Sequence, residues 1–208
     1  MTIEKEFFRQ VMGQFATGVT VVATATDAGL SGLTVNSFTS VSLNPPLVLI
    51  CIDLTSQTIP FLRASGHFAV SFLTNEQEAL SRCFATTSAE HYDRFCDAPY
   101  HIAATGSPIL DGALAFVDAH IVAEYPGGDH AIFIGQVEAM GSNGKVQFLN
   151  AAAKTRSTLT EWSDEDQGSS QEPQPDKWPL AYYQGQYRHL ARDYKRSSLA
   201  AYYDEDFD

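Results

Sequence analysis

The sequence predicts a mainly β domain whose hairpins close into a barrel with flanking helices. Segments rich in β-branched and aromatic residues outnumber helical patterns, and they follow one another closely along the chain. This close spacing favours hairpins over the alternating βαβ units of parallel sheets. The length of 208 residues suits one domain with a sizeable core.

The first part of the chain predicts a helix and then a β-hairpin. Residues 18–26, GVTVVATAT, have the β-branched content of a strand, and Asp27, Ala28 and Gly29 supply turn residues before the next strand. Upstream of this hairpin, apolar residues recur at helical spacing and predict an amphipathic helix that ends near Gly18: Ile3, Phe7, Phe8, Val11, Met12 and Phe15.

The middle of the chain alternates short strands with short helices. We predict an apolar strand at 47–52, a helix at 58–64 and a strand at 67–73. Asn75, which a glutamate follows three residues later, predicts the N-cap of another helix. A loop-rich stretch is expected after that helix, as far as Asp111.

The last part of the chain predicts a long hairpin and a helix. Strands are expected at 113–125 and 131–140, on either side of a turn-rich connection, and a helix at 150–161. Residues 163–177 form an acidic, low-complexity insert that we expect to be mobile. The aromatic residues that follow it predict a return to the fold at 178–190.

These patterns divide the chain into one domain and two acidic segments. The domain comprises residues 1–160 plus 178–195. The acidic insert and an acidic C-terminal tail at 196–208 lie outside this domain. Ten acids lie within 161–176 and 204–208, which contain no Lys or Arg, so the net charge of −12 leaves about −2 for the remainder. We therefore expect no nucleic-acid partner and no attraction to anionic membranes.

Other patterns narrow the class of protein. No apolar stretch is long enough for a membrane span, and the charged N-terminus does not suit a signal peptide. The odd count of cysteines, Cys51, Cys83 and Cys96, without disulfide or zinc spacing, indicates a reducing compartment and hence the cytoplasm. The six histidines form no metal-binding motif, and no hydrolase, Rossmann or P-loop signature is present.

The most informative polar segment is 32–46, GLTVNSFTSVSLNPP. Neutral hydroxyls, amides and exposed backbone N–H groups of this kind suit a phosphate ester and a polyol. A Ser/Thr-rich strand that faces solvent is the alternative explanation. We favour a ligand-binding segment because six such side chains crowd together before two prolines: Thr34, Asn36, Ser37, Thr39, Ser40 and Ser42.

Further residues extend this candidate site. Ser56 and Thr58 lie near a predicted helix start, where free N–H groups favour anions, although Ser56 serves equally as a helix cap. Arg82 is our preferred cation for a phosphate, and a solvated surface arginine is the alternative. Cys51 is interpreted as a buried thiol in an apolar strand, and His130 from its turn position alone as a surface residue.

The order and spacing of several segments resemble the short-chain flavin reductases, the small reductase components that supply reduced flavin to two-component monooxygenases. The resemblance runs through most of residues 7–190. The matching segments are 15–22 (FATGVTVV), 32–52, 93–95 (DRF), 107–110 (SPIL), 128–130 (GDH), 134–137 (IGQV) and 179–190.

This resemblance implies a split β-barrel of Greek-key, FMN-binding type, in which two subunits build flavin sites at their interface. It implies FMN, or alternatively FAD, as the flavin, and NADH or NADPH as the hydride donor. The phosphate and ribityl chain would be held by Thr34, Asn36, Ser37, Ser56, Thr58 and Arg82. The isoalloxazine would be bordered by Ser40, Val41, Cys51 and Asp53, and His130 would lie near the nicotinamide.

The expected function is that of a homodimeric NAD(P)H:flavin oxidoreductase with a monooxygenase partner. The resemblance implies no catalytic side chain, because hydride transfer is the chemistry of the two cofactors. Two alternatives stay open: a split barrel that only carries flavin as a store or sensor, and a split-barrel oxidase of another small molecule. The acidic insert and two glutamines, Gln184 and Gln186, depart from the family pattern.

Overall fold

The structure, a computed structural model, describes residues 3–142, 145–159 and 177–189 and is mainly β with flanking helices. Its strands are β1 (Thr17–Gly18), β2 (Thr20–Thr26), β3 (Gly29–Val35), β4 (Phe38–Leu43), β5 (Pro46–Asp53), β6 (His67–Phe72), β7 (Tyr100–Ile102), β8 (Pro108–Leu110), β9 (Ala115–Gly127), β10 (His130–Ser142), β11 (Lys145–Phe148), β12 (Leu180–Tyr183) and β13 (Gln186–His189).

The helices are short and lie around the sheet. Helix α2 packs against β2, β3 and β6, whereas α3 packs against β2 and β3. Two 3₁₀ turns, Asn75–Gln77 and Phe95–Asp97, precede α3 and follow α4. The helices are α1 (Lys5–Met12), α2 (Thr58–Ser65), α3 (Glu78–Phe84), α4 (Ala89–Arg94) and α5 (Ala151–Arg156).

One antiparallel sheet forms the body of the fold. Its strand order is β3-β2-β6-β9-β10-β5-β4, and β11 lies beside β10. The two ends of this order, β3 and β4, are consecutive in sequence and are joined by Asn36 and Ser37. The chain therefore pairs with β2 up to Val35 and changes to β5 at Phe38, so one bent stretch of chain serves both edges of the sheet.

The burial pattern explains why these residues form strands. Side chains along β10 alternate between partly exposed and buried, as expected for a strand with one face on a core. The barrel core includes Ile50, Phe68 and Phe133, which are almost fully buried. A second core lies beneath α3 and includes Phe84 and Leu180, so the C-terminal hairpin β12–β13 is anchored to the body of the fold.

Most predicted elements are present, with corrections at several boundaries. The expected N-cap Asn75 is wrong: Thr74 caps this start, in a capping box with Gln77. The stretch expected to be loop-rich contains α4, which Ser88 caps by accepting from the backbone N–H of His91, and the hairpin β7–β8. The predicted helix at 150–161 ends at Arg156.

The expectation of three free cysteines is also corrected. Cys83 on α3 and Cys96 in the 3₁₀ turn after α4 form a disulfide, and Cys51 is free. This pairing weakens the argument for a reducing compartment. The acidic insert at 163–177 lies outside the described residues except for its last residue, Lys177, and the tail at 196–208 lies outside them entirely. Among the helices that are described, none has the length and apolar character needed to cross a membrane.

Candidate flavin site

The bend between β3 and β4 carries three of the predicted site residues. The hydroxyl of Thr34 donates to the backbone oxygen of Ser81 on α3 (2.7 Å), and that of Ser37 donates to the backbone oxygen of Cys51 on β5 (2.7 Å). Asn36 between them is exposed, and its amide makes no hydrogen bond within the described part of the chain. Thr34 and Ser37 are thus held in place, while the Asn36 amide is available to a ligand.

An open groove of about 200 Å³ begins at this bend. The ring of Tyr187 forms part of its wall, and the Tyr187 hydroxyl shares a hydrogen bond with the Ser81 hydroxyl (2.8 Å). Tyr182 meets Tyr187 edge to face, with ring centroids 5.5 Å apart. The groove therefore combines aromatic rings with polar groups; its lining is Val19, Thr34, Val35, Asn36, Ala85, Tyr182 and Tyr187.

Arg82 packs on the ring of Tyr187, which lines this groove. Its guanidinium carbon lies 4.6 Å from the centroid of the Tyr187 ring, a cation–π distance. The same guanidinium donates to Glu78 Oε1 at 2.6 and 2.8 Å. The Arg82 side chain is nevertheless 63% exposed, so its charge faces water and is partly balanced by Glu78.

Ser40 and Val41 lie on the exposed edge of β4. Pairing between β4 and β5 shifts register between Ser40 and Ser42, which leaves Val41 in a bulge. Both residues are exposed, and β4 is the terminal strand of the described sheet. Backbone groups on such an edge are available to pair with a ligand.

Asp53, Ser56 and His130 meet at the far end of β5. Asp53 pairs with His130 in the β5–β10 register. The backbone N–H and the hydroxyl of Thr55 both donate to Asp53 Oδ1, at 2.8 and 2.7 Å, and these bonds lower the pKa of the Asp53 carboxyl. Ser56 accepts from the backbone N–H of Thr58 (3.2 Å), so its own hydroxyl hydrogen is free to donate elsewhere.

His130 is oriented by its neighbour in the turn. Its Nδ1 lies 2.7 Å from Asp129 Oδ1. This hydrogen bond lowers the pKa of the Asp129 carboxyl, with the charge of the imidazole as the second cause. Since Nδ1 is engaged, Nε2 is the ring nitrogen that is left for a ligand.

Thr58 occupies a different position from the predicted one. Its side chain is 1% exposed, and its hydroxyl oxygen accepts from Ser31 (3.0 Å) and lies 3.4 Å from the backbone oxygen of Gly32. The hydroxyl therefore joins α2 to β3 and does not face a ligand. The prediction that the Thr58 side chain holds a phosphate is corrected on this ground.

Cys51 is half-buried on β5, between Ser37 and Asp53. Burial raises the pKa of its thiol, which disfavours a thiolate nucleophile. This placement agrees with the interpretation of Cys51 as a packed thiol. Among the described residues, no cluster of His, Cys, Asp and Glu could hold a metal ion.

The structure gathers the predicted residues into two groups that the bend connects. Thr34, Asn36 and Arg82 surround the aromatic groove, whereas Asp53, Ser56 and His130 lie at the end of β5, with Ser37 and Cys51 between the groups along the sheet. Sequence reasoning gave no role to Tyr182, Tyr187 or Ser81. The aromatic content of 178–190 and the resemblance of 179–190 to the family were the signals for the two tyrosines.

A second, apolar groove of about 230 Å³ adjoins the first. The two share Val19, whose backbone N–H donates to the backbone oxygen of Leu180 (3.0 Å) and whose backbone oxygen accepts from the N–H of Leu73 (3.1 Å). Its lining is Gly18, Val19, Thr20, Phe38, Phe72, Leu73, Leu114, Pro179 and Leu180. The polar bend is therefore flanked by surfaces that suit planar and apolar groups.

Comparison with known proteins decides the family. The model of the flavin reductase like domain matches residues 12–191. The chain belongs to the flavin reductase-like family. The resemblance that its motifs indicated is thereby confirmed, as is the prediction of a flavin reductase.

Similar proteins agree with this assignment. The chain is 38% identical over 138 residues, 66% of its length and 72% of the relative's, to the reductase subunit HsaB of a flavin-dependent monooxygenase from Mycobacterium tuberculosis. It is 38% identical over 135 residues, 64% of its length and 74% of the relative's, to an NADH-dependent flavin reductase from a Rhodococcus species.

A solved structure supports the fold. The NADH:FAD oxidoreductase SgcE6 of Streptomyces globisporus, in complex with NAD and FAD fragments, is 31% identical and superposes with a TM-score of 0.71. The match covers 94% of this chain and 99% of that one. The expected split β-barrel is confirmed.

Proposed function

We propose that the protein reduces FMN, or alternatively FAD, with NADH and supplies the reduced flavin to a monooxygenase. The observation that carries this proposal is the bend at Asn36 and Ser37, where two open sheet edges meet the exposed Asn36 amide beside an aromatic groove. Membership of the family supports the class of reaction. The named relatives support NADH as donor and a monooxygenase as recipient.

The donor set fits a flavin phosphate and ribityl chain. Thr34 and Ser37 have given their hydroxyl hydrogens to backbone oxygens, so they offer lone pairs to the ribityl hydroxyls. Asn36 retains free amide donors, which suit phosphate oxygens, and Ser56 at the end of β5 retains a free hydroxyl hydrogen. Arg82 supplies the positive charge that a phosphate dianion favours.

The edge of β4 fits the ring of a flavin. Ser40 and Val41 present backbone groups there, and Cys51 and Asp53 share one face of the neighbouring strand β5. When bound, the nicotinamide and the flavin supply the hydride chemistry themselves. The chain positions both rings and places N–H donors where a reduced ring would carry negative charge.

His130 serves the nicotinamide in this proposal. The bond from Nδ1 to Asp129 orients the imidazole, and pairing with Asp53 places it beside the residues that border the flavin ring. Its Nε2 would then contact the nicotinamide. A side chain in this position binds and orients the donor without taking part in proton transfer.

We also infer that the protein is a homodimer. Helix α1 has no buried residue, and its apolar side chains Phe7, Phe8, Val11 and Met12 are each more than half exposed. An amphipathic helix with an uncovered apolar side favours a partner surface. A second copy of the chain is the simplest partner that brings such a surface.

Steady-state assays test the function. Purified protein is mixed with FMN, FAD or riboflavin and with NADH or NADPH, and nicotinamide oxidation is followed by absorbance. We expect turnover with at least one combination that includes NADH. Absence of oxidation with every combination would refute the reductase, and bound flavin without turnover would indicate the store or sensor. An oxidase would instead leave NADH unused and reduce its flavin with an organic substrate.

A variant tests the role of His130. In His130→Ala, the apparent KM for NADH should rise while the flavin dissociation constant changes little. His120→Ala, which removes another exposed histidine, is the matched control. An unchanged KM for NADH in His130→Ala would contradict the assigned role.

A further inference from the structure

Four polar side chains outside the proposed flavin site form a hydrogen-bonded series. Asp118 Oδ1 on β9 is 2.5 Å from the hydroxyl of Thr105, which is 3.0 Å from the hydroxyl of Ser107. The Ser107 hydroxyl in turn lies 2.7 Å from His67 Nδ1 on β6. Asp118 and Ser107 are fully buried, whereas His67 is only partly buried. This hydrogen-bonded series thus connects a carboxyl in the core to an imidazole near the surface.

The two hydroxyls allow the hydrogen bonds of this series to point in either direction. Each hydroxyl has one hydrogen to donate and lone pairs to accept another. An ionised Asp118 can only accept, so Thr105 donates to Asp118, Ser107 donates to Thr105, and His67 must donate from Nδ1. A neutral Asp118 donates from Oδ1, both hydroxyls turn round, and His67 Nδ1 becomes the acceptor.

We propose that these side chains form a reversible relay in which the charge of Asp118 dictates which nitrogen of His67 carries the hydrogen. The second carboxylate oxygen supports the assignment of Oδ1 as the relay atom. Asp118 Oδ2 accepts from the backbone N–H of Thr105 (2.9 Å), and that bond is available in both charge states. Gain and loss of one proton at Asp118 therefore reorient the chain without breaking a contact.

The surroundings allow both charge states near neutral pH. Burial raises the pKa of Asp118 to about 7, and the charge of Glu138 on β10 acts in the same direction, against the lowering effect of the Thr105 donors. Glu138 is itself paired with Arg156 of α5 (3.1 Å). Burial also lowers the pKa of His67, which favours the neutral imidazole that the relay requires.

Other titratable groups nearby do not compete for the relay. His120 is opposite His67 in the β6–β9 register, with ring centroids 6.2 Å apart, and its charge further lowers the pKa of His67. On the β7–β8 hairpin, His101 and Asp111 bond to each other. The relay residues are therefore the groups that link Asp118 to the surface by hydrogen bonds.

The relay would affect the turn between β7 and β8. This turn carries Thr105 and Ser107, and Arg156 donates to its Ala104 backbone oxygen (3.1 Å). The hydroxyl bond to Asp118 is charge-assisted when the carboxyl is ionised and neutral when it is protonated. The turn is thus held more firmly as pH rises through the Asp118 titration.

Nuclear magnetic resonance of the intact protein tests the relay. Carboxyl ¹³C shifts report ionisation of Asp118, and ring ¹⁵N shifts report which nitrogen of His67 carries the hydrogen. We expect His67 to change from the Nε2–H to the Nδ1–H tautomer with the same midpoint as Asp118. A His67 tautomer that stays constant while Asp118 ionises would overturn the proposal.

Two variants separate the relay from a general effect of charge. Ser107→Ala removes the central hydroxyl, and Thr105→Val does so at the neighbouring position if the first variant folds poorly. In either, Asp118 should still titrate while the His67 tautomer no longer follows it. Thr105→Ser keeps a hydroxyl and should keep the coupling. Equal coupling in Ser107→Ala and in the unaltered protein would refute the relay.

Discussion

Replacing Glu78 by glutamine should strengthen the binding of FMN. Glu78 holds the Arg82 guanidinium at 2.6 Å and competes with any phosphate for the same donors. The Arg82 and Glu78 side chains are 63% and 28% exposed, so water screens the pair, and such helical pairs contribute about 0.3–0.5 kcal/mol. Release of this competition should lower the FMN dissociation constant by about twofold.

The assay is a titration of flavin fluorescence with Glu78→Gln and with Glu6→Gln, a control on the exposed helix α1. Riboflavin has no phosphate, so its affinity should be the same in both variants. High salt should reduce the gain for FMN, because it screens Arg82 from the phosphate. Equal gains for riboflavin and FMN, or no gain for FMN, would refute Arg82 as the phosphate-binding cation.

Three further predictions concern stability. A Cβ at Gly135 would lie 2.6 Å from the buried ring of Phe68, so Gly135→Ala should lower the free energy of unfolding, measured by urea denaturation, by about 1–3 kcal/mol. Gly18→Ala is the control, because a Cβ at Gly18 meets no atom within 4 Å and should leave the free energy of unfolding unchanged. Thr58→Val should lower the thermal midpoint by an amount equivalent to about 1–3 kcal/mol, since it unpairs Ser31, and should leave the flavin dissociation constant unchanged; the reverse pattern would restore Thr58 as a ligand. Because the pKa of Asp118 is raised on folding to about 7, its contribution to stability is complete below about pH 4 and is lost as pH rises through 7. Asp118→Asn should therefore gain stability relative to the unaltered protein as pH rises from about 4 to about 7, and a constant difference across that range would contradict the sign.

The strands were predictable from the sequence because their signals are local. The alternation along β10 and the turn residues Asp27, Ala28 and Gly29 lie within one element or one hairpin, so side-chain pattern alone is sufficient. The N-cap was predicted one residue late because Thr74 and Asn75 are both good caps, and only the Gln77 contact distinguishes them.

The site was predictable in composition and less so in geometry. Asn36 and Ser37 were found because their segment is unusual in itself. The inward direction of the Thr58 hydroxyl depends on how α2 packs on β3, and the Cys83–Cys96 disulfide depends on how α3 meets the 3₁₀ turn after α4. Tyr187 reaches Ser81 across 106 positions of sequence, a distance that no local pattern encodes.

The bent stretch between β3 and β4 also makes the stability of the protein depend on bound flavin. The edges of β3 and β4 carry backbone groups that the described sheet leaves unpaired. A flavin bound there would complete hydrogen bonds that otherwise go to water, and it would hold together the two halves of the barrel. At a hundredfold excess over its dissociation constant, such a ligand adds about 2.7 kcal/mol to the free energy of unfolding. Release of flavin to a partner would then leave a protein with a lower free energy of unfolding.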